Sequence, residues 1–275
     1  MNIYFATYAD GEYEKNLKKN LLFVKIFLKP KKIFIYNRQK IVDTKFYERN
    51  KALLDEQRGA GFYAWKPYII QESLNKIEVD DCLIYYDSGL GKRYLVWSGL
   101  KNLIRWTQNS RHKMLPGLMI PEWGPNSVWT KRDAFIIMNL DHVNSVKNLP
   151  QVQATFSIWI KCKKTVDFVE EWTKYAQDRR IISDDKNTLG FGNYEGFVEN
   201  RHDQSILSNL VHKYQIQSIN SEKEYIPFNK SLSFVDLYFK ANRGILRNLI
   251  YNSILALFRK RFIFVASEKS MHDRT

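Results

Sequence analysis

Short apolar runs alternate with longer amphipathic segments along most of the chain, and this alternation predicts an α/β protein. Residues 2–9 form an apolar run of strand length, and residues 32–36 form a second one. The segment between them, residues 13–27, has apolar side chains at helical spacing, at Leu17, Leu21, Leu22 and Val24. A strand, a helix and a second strand in this order indicate a βαβ opening to the fold.

The alternation continues to about residue 214. Pro67 stands in the first turn of a predicted helix, where its missing N–H costs nothing. Thr130 is predicted to cap another helix, with Asp133 at the third position of a capping box. Glycine-containing loops are predicted at 59–61 and 183–200. The predicted helices are 45–56, 67–77, 94–107, 130–140, 166–179 and 203–214, and the further strands are 83–86, 114–121 and 153–162.

One predicted strand ends on an acid. Residues 83–86 are apolar and aromatic, and Asp87, Ser88 and Gly89 follow them directly. In open α/β sheets, ligands bind at the carboxyl ends of the strands. An acid at that edge is therefore a candidate ligand of a metal ion or of a phosphate-bearing molecule.

Composition adds a basic surface to this picture. The 275 residues are 44% hydrophobic, enough for one large core or for one core with an appendage. Lys and Arg outnumber Asp and Glu by 43 to 29, a net charge of +14, which suits nucleic acid, anionic lipid or an anionic substrate. Nucleic acid is the weakest of the three, because no finger, basic zipper or RNA-recognition signature is present and the basic residues are dispersed except near the C-terminus. We therefore expect no nucleic-acid partner.

The cysteines and the amino terminus indicate the compartment. Cys82 and Cys162 are the only cysteines, and both fall in predicted strands. We expect them to be reduced core residues of a cytoplasmic protein, because a disulfide scaffold needs more of them. No basic leader precedes the first apolar run, so no signal peptide is predicted.

Two segments resemble a known family. The run GFYAWKPYII at 61–70 and the run LIYYDSG at 83–89 are similar to bacterial nucleotide-sugar glycosyltransferases that build capsule, O-antigen and related surface glycans. The resemblance implies a GT-A fold, with a Rossmann-like mixed sheet flanked by helices. It also implies an acid-x-acid motif that holds a divalent cation, Mn²⁺ or Mg²⁺, against the donor diphosphate. Here Gly89 replaces the second acid, so Asp87 is the one predicted ligand in the motif, with Ser88 beside it at the donor.

The segment RHDQS at 201–205 is also similar to this family. The resemblance places Asp203 and Gln204 at the reaction centre, near the donor sugar and the acceptor hydroxyl. From the residues alone, Asp203 could equally be the N-cap of the helix that follows. His202 is predicted either to ligate a metal or to donate a hydrogen bond to the diphosphate, although an isolated histidine more often does neither.

The remaining predicted donor contacts follow from the same resemblance. In the WKP element, Lys66 is expected near the donor phosphates and Trp65 at the sugar pocket. In the segment W-x-KRD, Arg132 is expected to neutralise the leaving diphosphate, the alternative being ordinary capping charges. Thr7 and Tyr8 end the first strand, where enzymes of this fold contact the nucleotide base.

The C-terminal part differs from the rest. Residues 238–264 carry six cations and no acid, and residues 245–258, wound as a helix, have a broad apolar face. Such a helix suits the surface of an anionic membrane, but its uncharged part is too short to span one. The alternative is a helix docked on the catalytic domain or in an oligomer interface. We therefore expect a catalytic domain at 1–236 and a basic amphipathic appendage at 237–275.

The resemblance implies a hexosyltransferase, and the basic C-terminal segment leads us to expect it at the cytoplasmic face of the plasma membrane. Its donor would be a nucleotide diphosphate sugar and its acceptor a lipid-linked or oligosaccharide hydroxyl. The competing hypothesis is a catalytically silent protein that binds glycan or lipid on the same scaffold, which the missing second acid favours.

Overall fold

The computed structural model describes residues 1–90 and 100–220, so the predicted appendage at 237–275 lies outside the described residues. The strands are β1 Ile3–Tyr8, β2 Lys32–Tyr36, β3 Cys82–Tyr86, β4 Met114–Leu115, β5 Leu118–Pro125, β6 Pro150–Gln153, β7 Phe156–Ile160 and β8 Ile219–Asn220. The helices are α1 Tyr13–Phe23, α2 Arg38–Val42, α3 Lys45–Leu54, α4 Gly59–Phe62, α5 Trp65–Asn75, α6 Leu100–Asn109, α7 Arg132–Ile137, α8 Asn144–Asn148, α9 Lys163–Ala176, α10 Arg179–Ile182 and α11 Asp203–Lys213.

A five-stranded mixed sheet in the order β2-β1-β3-β7-β4 forms the centre of the fold. Strands β2, β1 and β3 are parallel, and β7 runs antiparallel to both β3 and β4. The predicted α/β class with a mixed central sheet is therefore confirmed. The βαβ opening is confirmed as well, since β1 and β2 pair in parallel through residues such as Tyr8 and Tyr36.

Helices cover both faces of this sheet. Strand β3 is fully buried, and its side chains alternate between two apolar clusters. Leu83 and Tyr85 lie in the cluster that includes residues of α5, α9 and α11. Cys82, Ile84 and Tyr86 lie in the cluster that includes residues of α6. A strand buried on both faces reads as a continuous apolar run, which is why the sequence pattern locates it well.

Two predicted strands are each divided between two sheets. The predicted strand 153–162 is wrong as one element, because β6 pairs with β5 in a small second sheet, β6-β5-β8, whereas β7 pairs with β3. The predicted strand 114–121 divides in the same way into β4 and β5. Gly117 lies at this second change of sheet, where a Cβ would be 2.1 Å from the carbonyl oxygen of Gln153. Only a residue without a side chain allows this approach.

Two predictions about residues near helix starts are wrong. Thr130 is not an N-cap, because α7 begins at Arg132 after Lys131, and the buried Thr130 hydroxyl instead donates to Asn126 Oδ1 at 2.8 Å. Cys162 is not within a strand, because it is the N-cap residue of α9. Pro67 does lie in the first turn of its helix, α5, as predicted, and residues 183–200 contain no helix or strand. None of the helices in the described ranges is both long enough and apolar enough to cross a membrane.

Candidate functional site

The parallel strands bring several predicted residues to one edge of the central sheet. Tyr8 ends β1 and Asp87 follows β3, and both strands run in the same direction. The antiparallel strand β7 begins at this edge, and the Asp87 backbone N–H donates to the carbonyl oxygen of Thr155 at 2.9 Å. The carboxyl edge predicted from the sequence is therefore formed by β1, β3 and the turn before β7.

The centre of this edge is Lys66, which lies between two carboxylates. Its Nζ is 3.1 Å from Asp203 Oδ2 and 3.4 Å from Asp87 Oδ2. The Lys66 and Asp203 side chains are each 4% exposed, whereas Asp87 is 24% exposed. Tyr85 donates its hydroxyl to the other oxygen of Asp87. Asp87, Lys66 and Asp203, called here the acidic triad, thus unite three segments that lie far apart in the sequence.

The single turn α4, residues 59–62, is a loop of mostly left-handed backbone directly before α5, the helix that carries Lys66. Ala60, Gly61 and Phe62 all have positive φ, which coils the chain tightly ahead of the helix. At Gly61 a Cβ would be 2.6 Å from Leu54 Cα, so glycine is required there. The Trp65 indole N–H donates to the carbonyl oxygen of Gly59 at 2.9 Å and holds the first turn of α5 against this loop.

Aromatic rings surround the Lys66 ammonium. Its Nζ lies 5.2 Å from the Tyr63 ring centroid, 5.9 Å from that of Tyr85 and 6.0 Å from that of Trp65. These rings provide cation–π contacts that compensate in part for the water that burial removes. Trp65 also stacks on Tyr8, with centroids 3.9 Å apart, so the predicted sugar-pocket and base-contact residues are in contact with each other.

Asp203 is the first residue of α11, and its N-cap is His202. The N-cap alternative for Asp203 is therefore wrong, and its carboxylate faces Lys66 instead. The backbone is fixed beside it, because the Trp172 indole N–H donates to the Asp203 carbonyl oxygen at 3.0 Å. His202 has a φ of 54°, a left-handed backbone that favours glycine, so the entry to this helix is strained.

Burial determines the protonation of the triad. Burial raises the pKa of Asp203 to about 6, although the Lys66 ammonium acts in the opposite direction. Burial alone would lower the pKa of Lys66, but the carboxylates of Asp203 and Asp87 outweigh it and hold that pKa above its usual value. Burial and the Asp87 carboxylate raise the pKa of Tyr85, so its hydroxyl stays protonated and donates. At neutral pH Lys66 is therefore an ammonium, and Asp203 faces it as a carboxylate.

The Gln204 side chain lies away from the triad and forms hydrogen bonds with Ala154 and Gln151. Its Oε1 accepts from the Ala154 backbone N–H at 3.3 Å, and its Nε2 donates to Gln151 Oε1 at 2.9 Å. Gln151 in turn donates to Asn126 Oδ1 at 2.6 Å and to Thr130 Oγ at 3.1 Å. Gln204 is therefore part of a buried amide network that joins α11 to the small sheet, and both ends of its amide are engaged there.

The predicted metal ligand His202 has its own carboxylate partner. Its Nε2 lies 3.0 Å from Asp184 Oδ1, and its ring packs against Phe62 and Tyr63. Arg58 Nη1 lies 3.0 Å from the other oxygen of Asp184. Burial alone would raise the pKa of Asp184, but the His202 ring and Arg58 outweigh it and lower that pKa. His202 therefore fastens the start of loop 183–200 to the entry of α11.

Arg132 lies in a separate ion pair. Its guanidinium binds Asp141 through two nitrogens, at 3.1 and 3.2 Å, and packs on the rings of Phe191 and Tyr194. Its backbone N–H donates to Asn193 Oδ1 at 2.9 Å. The structure records no contact between this cluster and the acidic triad among the described residues, so Arg132 serves here to hold loop 183–200 on α7.

The other predicted donor contacts lie along the same sheet edge. Thr7 is 1% exposed within β1, and Tyr8, the last residue of that strand, is 8% exposed. The Tyr8 hydroxyl donates to Asp10 Oδ2 at 3.4 Å, and burial together with that carboxylate raises its pKa. Ser88 is buried, and its backbone carbonyl accepts from Asn20 Nδ2 at 3.1 Å. Of this group Tyr8 is the one whose ring helps to shape the edge, through its stack on Trp65.

The predicted divalent cation does not fit the donor groups at this edge. Within residues 1–90 and 100–220, no three His, Cys, Asp or Glu side chains form a group that could hold a metal ion. The two predicted ligands bind other partners, since Asp87 is engaged by Tyr85 and Lys66, and His202 by Asp184. A divalent cation on Asp87 Oδ2 would also stand close to the Lys66 ammonium and be repelled by it. The cation requirement therefore stays a prediction for experiment.

Two residues of the site, Tyr85 and Thr155, were not predicted from the sequence. Tyr85 contacts Asp87, and the signal was the two-residue period of a strand, which places residues 85 and 87 on the same side. Thr155 lies beside Asp87, and its Oγ is buried with no hydrogen-bond partner in the described part of the chain. No sequence signal marks Thr155, because it was hidden inside the predicted strand 153–162.

Comparisons with protein-family models, with curated proteins and with solved structures found no match to this chain.

Proposed function

We propose that this chain is a hexosyltransferase with a GT-A-like fold. It moves a sugar from a nucleotide diphosphate donor to a hydroxyl of a surface-glycan acceptor, such as a capsule, O-antigen or lipopolysaccharide precursor. The observation that carries the proposal is Lys66, buried 3.1 Å from Asp203 and 3.4 Å from Asp87 at the carboxyl edge of parallel strands. Burying the charges of Lys66 and Asp203 is costly, and such perturbed clusters concentrate at functional sites.

In this proposal Asp203 is the general base. Its carboxylate takes the proton of the acceptor hydroxyl while the acceptor oxygen bonds to the anomeric carbon of the donor. The bond from that carbon to the diphosphate breaks, and the nucleoside diphosphate leaves with the bonding electrons. A pKa of about 6 suits this role, because the group is ionised at neutral pH yet more basic than an ordinary aspartate.

In this proposal Asp87 contacts the substrate, and Lys66 holds the Asp87 carboxylate in place and supplies positive charge. Asp87 is the most exposed member of the triad, so a substrate entering this edge meets it first. The Tyr85 hydroxyl and the Lys66 ammonium fix the orientation of its carboxylate. Lys66 also contributes positive charge beside Asp87, which would help to neutralise the leaving diphosphate. No step here uses a divalent cation, because the donor groups at this edge do not fit one.

Trp65 and Tyr8 complete the donor side of the proposal. Their stacked rings form a rigid aromatic surface beside Lys66. A flat ring pair of this kind supports a nucleotide base or a sugar face through dispersion contacts. Gln204 and Arg132 are left out of the reaction centre, because their polar groups are occupied in the amide network and in the Asp141 ion pair.

The basic segment 238–264 would carry the enzyme to its acceptor. Six cations without an acid favour the inner surface of an anionic membrane. This proposal rests on sequence alone and gives a peripheral location at the cytoplasmic face. It agrees with a lipid-linked acceptor, which would be held at the same surface.

A second candidate is a silent glycan- or lipid-binding protein on the same scaffold. Gly89 in place of a second acid favours it. The acidic triad argues against it. A binding module has no need of an aspartate such as Asp203, whose pKa is raised to about 6 beside the buried Lys66 ammonium.

The test is a titration of UDP-, GDP- and dTDP-hexoses by calorimetry, in EDTA and with Mn²⁺. The release of nucleoside diphosphate in the presence of a glycan extract is followed in parallel. Saturable binding of one donor with glycan-dependent release is expected. Donor binding without release by any acceptor fraction would favour the silent protein, and binding of no nucleotide would overturn both the donor and the transferase assignments.

A further inference from the structure

Helix α1 carries lysines and apolar side chains together on its exposed side. A π-helical turn at Val24–Leu28 continues the helix, and the Lys29 N–H donates to the Val24 carbonyl oxygen at 3.0 Å. Along this continuous helix, exposed residues recur three or four positions apart, a spacing that places them on one side. Six of them are called here the α1 stripe: Lys15, Lys18, Leu22, Lys25, Ile26 and Lys29.

The opposite side of this helix is anchored to the sheet and to the proposed site. Val24 and Leu28 are buried in the apolar cluster that includes residues of β1, β3 and α6. Asn20 is 2% exposed, and its Nδ2 donates to the Ser88 carbonyl oxygen at 3.1 Å. Ser88 directly follows Asp87 in the chain. The α1 stripe is therefore the outer side of a helix whose inner side contacts the loop beside the acidic triad.

Two large apolar side chains of the stripe are exposed one helical turn apart. Leu22 is 57% exposed and Ile26 is 45% exposed. Surface apolar residues are ordinary when they are scattered singly. Here lysines lie on both sides of the two, with Lys18 before Leu22 and Lys29 after Ile26. Neighbouring apolar side chains flanked by lysines are typical of a helix that lies at the interface of a membrane.

The charge of this region has one sign. Residues 15–42 contain nine Lys and Arg and no Asp or Glu, and the acids of α1, Glu12 and Glu14, stand at its start. Helix α9, which packs into the apolar cluster on the other face of the sheet, is different. Its three lysines are matched by Asp167, Glu170 and Glu171. An anionic surface would therefore be attracted to the α1 side of the domain in preference to the α9 side.

Charge also selects among the possible occupants of the α1 stripe. The C-terminal segment 238–264 has six cations and no acid, so the lysines of the stripe would repel it. A second copy of the chain would bring the same lysines against one another. An anionic bilayer matches both parts of the stripe, because its headgroups attract lysines while the stems of these lysines and the apolar side chains enter the interface.

We propose that the α1 stripe is a membrane-contact surface of the folded domain, with Leu22 and Ile26 seated in the headgroup region of an anionic bilayer. Two apolar side chains and a few lysines give only marginal affinity, and stable anchoring takes a second signal. Segment 238–264 provides that signal in the proposed function, and a tethered domain meets the bilayer at high effective concentration.

The stripe adds orientation to this tether. Because the inner side of α1 is bonded to Ser88, contact through the stripe fixes the direction in which the edge that carries Asp87 faces relative to the bilayer. The inference rests on the peripheral location given under the proposed function. It does not depend on the transferase reaction, since a silent protein on the same scaffold would present the same surface.

Fluorescent labels test the contact. The full chain with Cys162→Ser receives one new cysteine, as Leu22→Cys, Ile26→Cys or the α9 control Lys174→Cys, and each is coupled to the dye NBD. Serine can still cap α9, and Cys82 is buried away from the reagent. With phosphatidylglycerol vesicles we expect emission at positions 22 and 26 to shift to the blue and to be quenched by brominated acyl chains. The label at position 174 should not respond.

Partitioning of unlabelled full-length variants gives the size of the effect. Leu22→Gln combined with Ile26→Gln should lower partitioning into these vesicles roughly tenfold, through lost apolar burial. Lys25→Gln should lower it roughly fivefold at low salt and have no effect at high salt. Lys174→Gln is the matched control on α9 and should partition as wild type does. Phosphatidylcholine vesicles should bind none of these chains.

The outcomes separate the stripe from the tether. Vesicle binding by the full chain with no response at positions 22 and 26 would overturn the stripe and assign the contact to segment 238–264 alone. A full chain that does not bind phosphatidylglycerol vesicles would overturn both. Labels shielded without vesicles, and exposed in a chain that ends at residue 236, would show the C-terminal segment covering the stripe and so overturn the membrane contact. Shielding that depends on protein concentration would overturn it in favour of a second copy.

Discussion

The ammonium of Lys66 is 3.1 Å from the carboxylate of Asp203, and both side chains are 4% exposed. The two residues are far apart in sequence, in the first turn of α5 and at the start of α11. Removing either one leaves the other as a buried charge with weaker compensation, so the pair links the stability of the domain to its proposed chemistry.

Lys66→Met should destabilise the fold by about 3–5 kcal/mol, because the buried Asp203 carboxylate loses its cation. Denaturant unfolding followed by circular dichroism measures this loss. The double variant Lys66→Met with Asp203→Asn should recover part of the stability and none of the activity. A double variant as unstable as Lys66→Met alone would contradict this explanation.

Asp203→Asn should lower turnover much more than it weakens donor binding, because a base acts mainly in the transition state. In the wild-type enzyme, turnover should rise with pH through about 6, where Asp203 loses its proton. Initial rates from pH 5 to 8 check both points. A pH profile that is flat across this range would remove Asp203 as the base.

The raised pKa of Asp203 also makes the stability of the fold depend on pH. Folding raises the pKa of Asp203 from its ordinary value of 3.8 to about 6, so the folded state binds more protons between these values. The contribution of Asp203 to stability is therefore full below about pH 3.8 and is lost as pH rises through about 6. The difference in unfolding free energy between wild type and Asp203→Asn, measured at several pH values, isolates this contribution from that of other carboxylates.

Asp87→Asn should reduce transfer at least roughly a hundredfold, similar to the loss of other oriented polar groups in active sites. The fold should persist, because Asp87 is 24% exposed and asparagine can still accept from Tyr85. Melting temperature and rate are measured on the same sample. Asp167→Asn, on the exposed face of α9, serves as the control. Turnover within twofold of wild type would exclude Asp87 from the mechanism.

Trp65→Leu should weaken nucleotide binding up to roughly tenfold, because an aromatic stack is worth about 0.5–1.5 kcal/mol beyond area burial. Tyr8→Phe should bind as wild type does, since the ring stacked at 3.9 Å is kept and only the hydroxyl that contacts Asp10 is lost. Calorimetric titration with the preferred donor distinguishes the two. An unchanged dissociation constant in Trp65→Leu would place the donor elsewhere.

A chain that ends at residue 236 should lose its binding to anionic vesicles. Each cation near such a surface contributes about 1 kcal/mol, and salt screens the attraction. Co-sedimentation with anionic and neutral vesicles, at low and high salt, compares this chain with the full one. Equal partitioning of both chains would favour a docked helix or an oligomer interface.

The sequence pattern identified the elements that are buried or strongly amphipathic. Strands β1, β2 and β3 and helices α3, α5, α9 and α11 were predicted within about three residues at each end. It failed where the chain passes from one sheet to the other, at Gly117 and at Ala154, because local periodicity carries no information about the pairing partner. The short helices α2, α8 and α10 were missed, since four or five residues give too few turns for a period.

For the site, the sequence indicated the three residues of the triad separately. Asp87 was indicated as an acid that follows a predicted strand, and Lys66 and Asp203 were indicated by the family resemblance. Their meeting around one ammonium depends on the packing of α5 and α11, which no local pattern records. Gln204 shows the opposite case, because its neighbour Asp203 faces the triad while its own amide is buried in the small sheet. Consecutive residues at a helix start point in different directions, and a motif alone does not tell which one is used.

The buried amide network has a consequence for the divergence of this sequence. It joins Asn126, Thr130, Gln151, Gln204 and Asn209 by hydrogen bonds of 2.6–3.1 Å. Changing one member alone leaves a buried donor or acceptor unpaired, at a cost of about 1–3 kcal/mol, whereas changing all of them together to apolar residues can be nearly neutral. These five positions should therefore covary among descendants of a common ancestor, being kept or replaced as a group even though they span more than 80 residues of sequence.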